Sequence, residues 1–160
     1  MSSTKDKLFT PSNKFRPDRI SFKKVAIIGS GKVASTIAFT LLLKEGSDHI
    51  VIVDKNEDQV KSEALDFQYG SYFLTSNPKI QATTDYASAK GAKIVILAVD
   101  VSKIEGEDFI EFLQRNVDVY KATVPNVVQF CSDAIFIVVS ATCDILSCEF
   151  TIISDLRSTD

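Results

Sequence analysis

Little in this 160-residue chain ties it to nucleic acid, membrane or metal. Positive charge is not in excess. Eighteen Lys and Arg stand against 21 Asp and Glu, a net charge of −3, whereas phosphate-backbone binding needs a basic face. Lys23-Lys24 looks basic but is too short for such a patch. No apolar run approaches the ~20 residues of a membrane span. Neither nucleic acid nor membrane is therefore expected as a partner. The N-terminus, Met1-Ser2-Ser3-Thr4-Lys5-Asp6-Lys7, lacks the apolar core of a secretion signal, so a cytoplasmic protein is expected. On that reading Cys131, Cys143 and Cys148 are reduced thiols, and their spacing does not suit a zinc site. There is one histidine, His49, so histidine acid–base chemistry has a single candidate. No internal repeat and no low-complexity segment occurs.

What is present is an ordinary globular composition, 45% apolar and 24% charged, in a length that supports one domain with a real core. The chain is organised around Lys24-Val25-Ala26-Ile27-Ile28-Gly29-Ser30-Gly31-Lys32-Val33-Ala34. A short β-branched run is broken by a glycine turn and passes into a helical pattern. A second apolar run ends in Asp54, about 20 residues further on. Strand, glycine turn, helix, strand and acid make the dinucleotide-binding fingerprint in its required context. Gly29 allows the tight turn, and Gly31 lets backbone approach a pyrophosphate. Ala34 takes the third place, where a small residue packs helix on strand. The amides around Ser30, Lys32 and Val33 and the helix dipole favour phosphates. The Asp54 carboxylate can accept both adenosine ribose hydroxyls and would repel a 2′-phosphate. NAD is thus expected over NADP, with Lys55 softening the choice. A glycine turn in some other α/β fold that binds no nucleotide is the competing reading.

Pattern and turn signals divide the chain into an N-terminal arm, 1–21, a domain, 22–153, and a polar tail, 154–160. Near the N-terminus, Phe9, Phe15 and Phe22 either anchor the arm on a partner or are exposed by chance. Strands are expected at 24–28, 49–54, 79–82, 93–99 and 134–139. Helices are expected at 32–44, 57–70 and 108–124, with a separate helical segment at 125–131 and an undefined element at 145–153. Asn77-Pro78 is read as a turn. The inward helix faces are expected to carry Val33, Ile37, Phe39, Leu41 and Leu42, then Val60, Ala64, Leu65 and Phe67, then Phe109, Phe112, Leu113, Val117 and Tyr120. Alternating strands and helices with short links give an α/β doubly wound parallel sheet, and right-handed crossovers favour the strand order 3-2-1-4-5. Glu105, Glu107 and Asp108 form an acidic cluster, read as a solvated loop with Asp108 capping the next helix. His49 falls at the entry to the second strand, beside the wrong end of the cofactor site. Ser140 has no base in its sequence context.

Longer motifs go beyond the fingerprint. Lys61-Ser-Glu-Ala-Leu-Asp-Phe-Gln-Tyr-Gly-Ser-Tyr-Phe-Leu74, Glu105-Gly-Glu-Asp108 with Gln114-Arg-Asn-Val-Asp-Val-Tyr-Lys121, and Val138-Val-Ser140 with Asp144-Ile-Leu146 follow one another in order. Together they resemble the L-lactate dehydrogenases of the lactate/malate dehydrogenase family, from about Ser3 to Leu146. The resemblance implies the Rossmann fold, NAD as cofactor, cofactor contacts at Val99 and Asn116 as well, and a subunit-docking arm at Ser3 to Leu8. It also implies lactate–pyruvate interconversion as the family reaction. The departures bear on that chemistry. Phe109 stands where the family has its carbonyl-polarising arginine, and Ser102 at the mobile-loop arginine. Ala141-Thr142 replaces Asn-Pro, and Ala98-Val99-Asp100 replaces Thr-Ala-Gly. The family's histidine acid/base, its aspartate partner and the substrate-carboxylate arginine belong to the second half of its members. The chain is therefore expected to be a truncated, catalytically inactive NAD-binding domain, with no catalytic residue of its own. Two alternatives stay open: a non-catalytic interaction module that associates with itself or a full-length relative, and a non-functional truncated product.

Overall fold

The computed structural model describes residues 24–74 and 78–158, with side chains to 154. The arm, Phe22 and Asn77 lie outside the described residues. Among the described residues, five strands are all parallel, in the order β3-β2-β1-β4-β5. They are β1 (Val25–Ile28), β2 (His49–Val53), β3 (Lys79–Thr83), β4 (Ile94–Leu97) and β5 (Ile135–Val138). The described helices that connect or follow them are α1 (Lys32–Leu43), α2 (Glu57–Ser71), α3 (Phe109–Val128) and α4 (Cys143–Ser158). A 3₁₀ turn, Tyr86–Ala89, precedes β4. The fold and strand order expected from the sequence are those found.

The central strands are buried on both faces, which is why they read as unbroken apolar runs rather than alternating ones. Val25 pairs with Ile50 on one side and with Ile94 on the other, and the register holds along all three strands. Val25, Ile27, Ile50 and Ile52 face α1 and α2, packing with Ala34, Ala38, Leu42, Val60 and Phe67. Ala26, Ile28, Val51, Val53, Val95 and Leu97 face the opposite layer, packing with Tyr120, Val124, Val127 and Leu146.

Several helix faces differ from the expected ones. The buried stripe of α1 is Ala34, Ala38 and Leu42, at four-residue spacing, while Val33 and Phe39 are half exposed. Small residues let a helix approach a sheet closely, and hydrophobicity alone does not register that. On α2, Val60 and Phe67 are buried but Leu65 is exposed. On α3 the buried line is Phe112, Asn116, Tyr120, Thr123, Val124 and Val127, with Phe109 outside it. The expected break at Pro125 is absent, and one helix runs through it. Proline withholds the hydrogen bond to the carbonyl four residues back, and its ring crowds that carbonyl. Burial of Val124 and Val127 on either side carries the helix past it. The undefined element near 145–153 is helix α4, which begins at Cys143 and continues to Ser158, through the residues that read as the start of a polar tail. Leu146 anchors it, fully buried, and Phe150 packs on Phe136 of β5 with ring centroids 4.7 Å apart.

Candidate functional site

The turn after β1 sits against the ends of both neighbouring strands. The Gly29 N–H donates to the Val53 carbonyl at 2.8 Å, and the Ala98 N–H donates to the Ile28 carbonyl at 2.9 Å. Gly29 has φ +109°, and a Cβ there would lie 2.5 Å from the Ala98 carbonyl oxygen. Glycine is thus required twice over, by conformation and by space. Gly31 is different. Its backbone is extended, with φ −72° and ψ 175°, and a Cβ on it would meet nothing within 4 Å. Among the described residues nothing demands glycine there. Gly31 is the N-cap of α1 and offers no side-chain cap, and no acidic residue occupies the first turn. The amides of Lys32 and Val33, both exposed, begin the helix without an internal side-chain acceptor. Ala34 is buried against the sheet, as its place in the fingerprint requires.

Asp54 follows β2 and turns its carboxylate into the glycine turn. Its Oδ2 accepts from the Ser30 backbone N–H at 2.7 Å and from the Ser30 hydroxyl at 2.9 Å. Its Oδ1 accepts from the Asn56 N–H at 2.9 Å. Gln59 of α2 donates from Nε2 to the Ser30 carbonyl at 2.9 Å. Ser30 is only 2% exposed. The carboxylate expected to meet a ribose is therefore already engaged by the chain.

A cavity of about 190 Å3 opens beside this network, at the C-terminal ends of β1, β2 and β4. It is lined by the apolar Ile28, Val53, Val99 and Val119, the charged Asp54, Lys55 and Asp100, and the hydroxyl-bearing Tyr86 and Thr123. Burial pushes the Tyr86 phenol above its ordinary pKa, with the charge of Asp54 adding to the effect. In doubly wound sheets, ligands bind in this crevice, where the strand order reverses between β1 and β4. Two larger cavities lie away from the motif. One, of about 280 Å3, is apolar and lies between α1 and α2; the other, of about 360 Å3, lies among residues 90–93 and 129–134.

Of the residues expected to touch cofactor, the structure brings Gly29, Ser30, Gly31, Asp54, Lys55 and Val99 to one place, with Lys32 and Val33 at the adjoining helix start. Asn116 is not among those lining the cavity. It is 1% exposed, its Oδ1 accepts from the Val101 N–H at 3.0 Å, and its Nδ2 donates to the Phe112 carbonyl at 2.9 Å. It fastens the loop after β4 onto α3. Tyr86, Val119 and Thr123 were missed by the sequence reading. Tyr86 lies outside the fingerprint, and the other two lie on a helix face whose orientation only packing reveals.

Beyond Asp100 the chain runs through the loop after β4 into α3, and the charged side chains there hold one another. Phe109 heads α3, half exposed, with Phe112 6.4 Å away between ring centroids. Arg115 is the only arginine with a described side chain. It donates from Nε and Nη2 to the two Glu107 carboxylate oxygens at 2.6 and 2.7 Å, and from Nη2 to the Ser102 carbonyl at 3.0 Å. Glu107 also accepts from the Ile104 N–H at 2.9 Å. The acidic loop is therefore not simply solvated: its Glu107 is a clasp, held below its ordinary pKa by the Arg115 hydrogen bond and then by Ile104. Asp108 caps α3, accepting from the Ile110 N–H at 3.1 Å, as read from the sequence. Asp100 is exposed. Burial pushes the Tyr120 phenol up to about 12, with Asp100 and Cys143 adding to the effect. His49 begins β2, at the opposite end of that strand from Asp54, and burial and then Lys24 and Lys79 lower its pKa. Cys131 is buried with its thiol on the Ala89 carbonyl, and Cys143 and Cys148 are exposed and free. Among the described residues no group of three His, Cys, Asp or Glu could hold a metal, and no helix is long and apolar enough to cross a membrane.

Comparison with known proteins agrees with this geometry. The model of the lactate/malate dehydrogenase NAD binding domain matches residues 23–159. The chain is 38% identical to the L-lactate dehydrogenase A chain of Cyprinus carpio, over 92% of this chain and 44% of that one. It is 41% identical to the L-lactate dehydrogenase B chain of Sceloporus woodi, over 92% and 43%. The fold superposes on a minor L-lactate dehydrogenase from Enterococcus mundtii with a TM-score of 0.79 and 28% identity, over 83% of this chain and 42% of that one. A lactate dehydrogenase from a Medee basin deep-sea metagenome library gives 0.78 and 27%, over 85% and 43%. The chain thus spans less than half the length of these relatives.

Proposed function

This chain belongs to the lactate/malate dehydrogenase family, as its NAD-binding domain, and from that premise we propose that it binds NAD(H) across the C-terminal ends of β1, β2 and β4. The observation that carries the reading is the meeting of the Gly29–Gly31 turn with Asp54, 2.7 Å from Ser30 N to Oδ2, at the mouth of the crevice. The residues present fit the adenosine and pyrophosphate half of the cofactor. Gly31 leaves the approach open, the uncapped start of α1 favours phosphate, and the cavity beside Asp54 has apolar lining, including Ile28, Val53 and Val99, that suits a flat base.

The residues at hand do not extend that fit to catalysis, and we propose that this 160-residue chain does not itself interconvert lactate and pyruvate. NAD, when bound, supplies a hydride acceptor. Beyond that the reaction needs a cation to polarise the carbonyl and a proton donor beside it. Phe109 carries no charge, and Arg115 is clasped by Glu107. His49 lies at the far end of β2. Loss of one polarising contact costs about 3 kcal/mol of barrier.

Titration calorimetry of the chain with NADH tests the binding proposal. Affinity in the micromolar range, lost in Asp54→Ala, is the expected result; no heat at millimolar NADH would sink the nucleotide reading. A lactate-dependent NADH absorbance signal from the chain alone would overturn the proposal of inactivity.

A second reading, association with a copy of itself or with a longer relative, is favoured by one feature. On β5, Ile135 and Ile137 are 64% and 43% exposed on the face opposite Phe136 and Val138.

A further inference from the structure

Asp54 has fewer free acceptor sites than ribose recognition needs. An ionised carboxylate offers about four lone-pair directions. Here three are occupied: two on Oδ2, by the Ser30 N–H and the Ser30 hydroxyl, and one on Oδ1, by the Asn56 N–H. The adenosine ribose brings two hydroxyls. Both can bind only if one internal donor leaves. The two N–H donors belong to backbone fixed by neighbouring bonds. Gln59 holds the Ser30 carbonyl at 2.9 Å from the side, and Gly29 is pinned to Val53 at 2.8 Å. The hydroxyl is the one donor that rotates about a single bond.

We propose that the Ser30 hydroxyl is an internal competitor for the Asp54 carboxylate, which weakens recognition of the adenosine ribose and so sets the affinity for NAD(H). This rests on the nucleotide reading above. Leaving Asp54 is unfavourable for the hydroxyl because Ser30 is 2% exposed. Water does not reach it freely, and a displaced hydroxyl becomes a buried donor without its partner. Occupying Asp54 is equally favourable in the empty protein, since a hydrogen bond to a charged acceptor is stronger than one to a neutral acceptor. Both terms oppose the ligand. Ser30 is therefore a positioning residue, acting on the ligand through Asp54.

The test compares wild type with Ser30→Ala by calorimetry, using NADH and an analogue that lacks both adenosine-ribose hydroxyls. Ser30→Ala keeps the backbone donor and removes only the hydroxyl. The expected result is roughly tenfold tighter NADH binding by the variant, the size of one hydrogen bond to a charged group. That gain should vanish with the analogue, because it acts through the ribose. Thermal melts establish that both proteins are folded, and Ser30→Gly serves in the same way if the alanine variant is not. Equal NADH affinity in wild type and variant, weaker binding by the variant, or the same gain with both ligands would each overturn the competition while leaving the nucleotide reading intact. Binding by neither protein at millimolar NADH would overturn both. Binding by the variant alone supports the competition and the nucleotide reading together.

Discussion

Gly29 and Gly31 occupy one turn for different physical reasons, and the difference is measurable. At Gly29 an added methyl meets the Ala98 carbonyl at 2.5 Å on a backbone with φ +109°. Gly29→Ala is expected to lower stability by about 3 kcal/mol, from the positive φ together with the displaced strand end. At Gly31 a methyl meets nothing, so Gly31→Ala should leave the thermal midpoint almost unchanged while weakening NADH binding. Melts and titrations on the pair check this, and equal loss of stability at both positions would show the distinction to be wrong. The fingerprint names both glycines, but its spacing does not say which one the protein needs and which one the ligand needs. Nor does it say that Ser30, a variable position in the motif, donates to Asp54 at 2.9 Å.

At the scale of elements, the loop after β4 is fixed by two side chains of α3. Asn116 accepts from Val101, and Arg115 grips Glu107 and the Ser102 carbonyl. The Arg115 hydrogen bond keeps the Glu107 pKa below its ordinary value of 4.5. A depressed carboxylate pKa means that the folded state binds the proton less tightly than the unfolded one. The stabilisation is then complete above the ordinary value and is lost as pH falls through the folded-state value. Glu107→Gln should therefore melt lower than wild type at neutral pH, and the gap should close as pH drops below 4.5 and on through the folded-state value. A gap that stays constant from neutral to acid pH would mean that the ion pair contributes nothing. Element type was readable from the sequence because strands and helices carry different apolar periods. The faces were less so. Phe39 of α1 turned out to line the cavity between α1 and α2, and Ala38 took the core. Pro125 read as a break because its local effect is unfavourable, and packing of Val124 and Val127 outweighs it.

On the scale of the whole molecule, two helical layers cover the sheet unevenly. Strands β1, β2 and β4 are buried on both sides, whereas among the described residues β5 is covered by α4 on one face, through Phe136 and Phe150. Ile135 and Ile137 face outward on the other. If this face mediates association, the chain sediments as a larger species at tens of micromolar, and Ile135→Ser with Ile137→Ser returns it to monomer without lowering its thermal midpoint. A wild-type monomer across that range would remove the association reading.

The sequence by itself determined the parallel sheet, its strand order, the glycine turn and the acid at Asp54. These follow from local period and spacing, which a linear chain displays directly. It also displayed the loss of charge at Phe109, because a substitution within a recognisable motif needs no coordinates to be seen. Only the tertiary structure decided what each side chain faces. It withdrew Asn116 into the interior, brought Tyr86, Val119 and Thr123 to the cavity, turned Glu107 and Arg115 toward each other, and set the Ser30 hydroxyl on Asp54. Ser30 and Asp54 are 24 residues apart. Such a contact is made by the fold that brings two strand ends side by side, and no periodicity in the sequence records it.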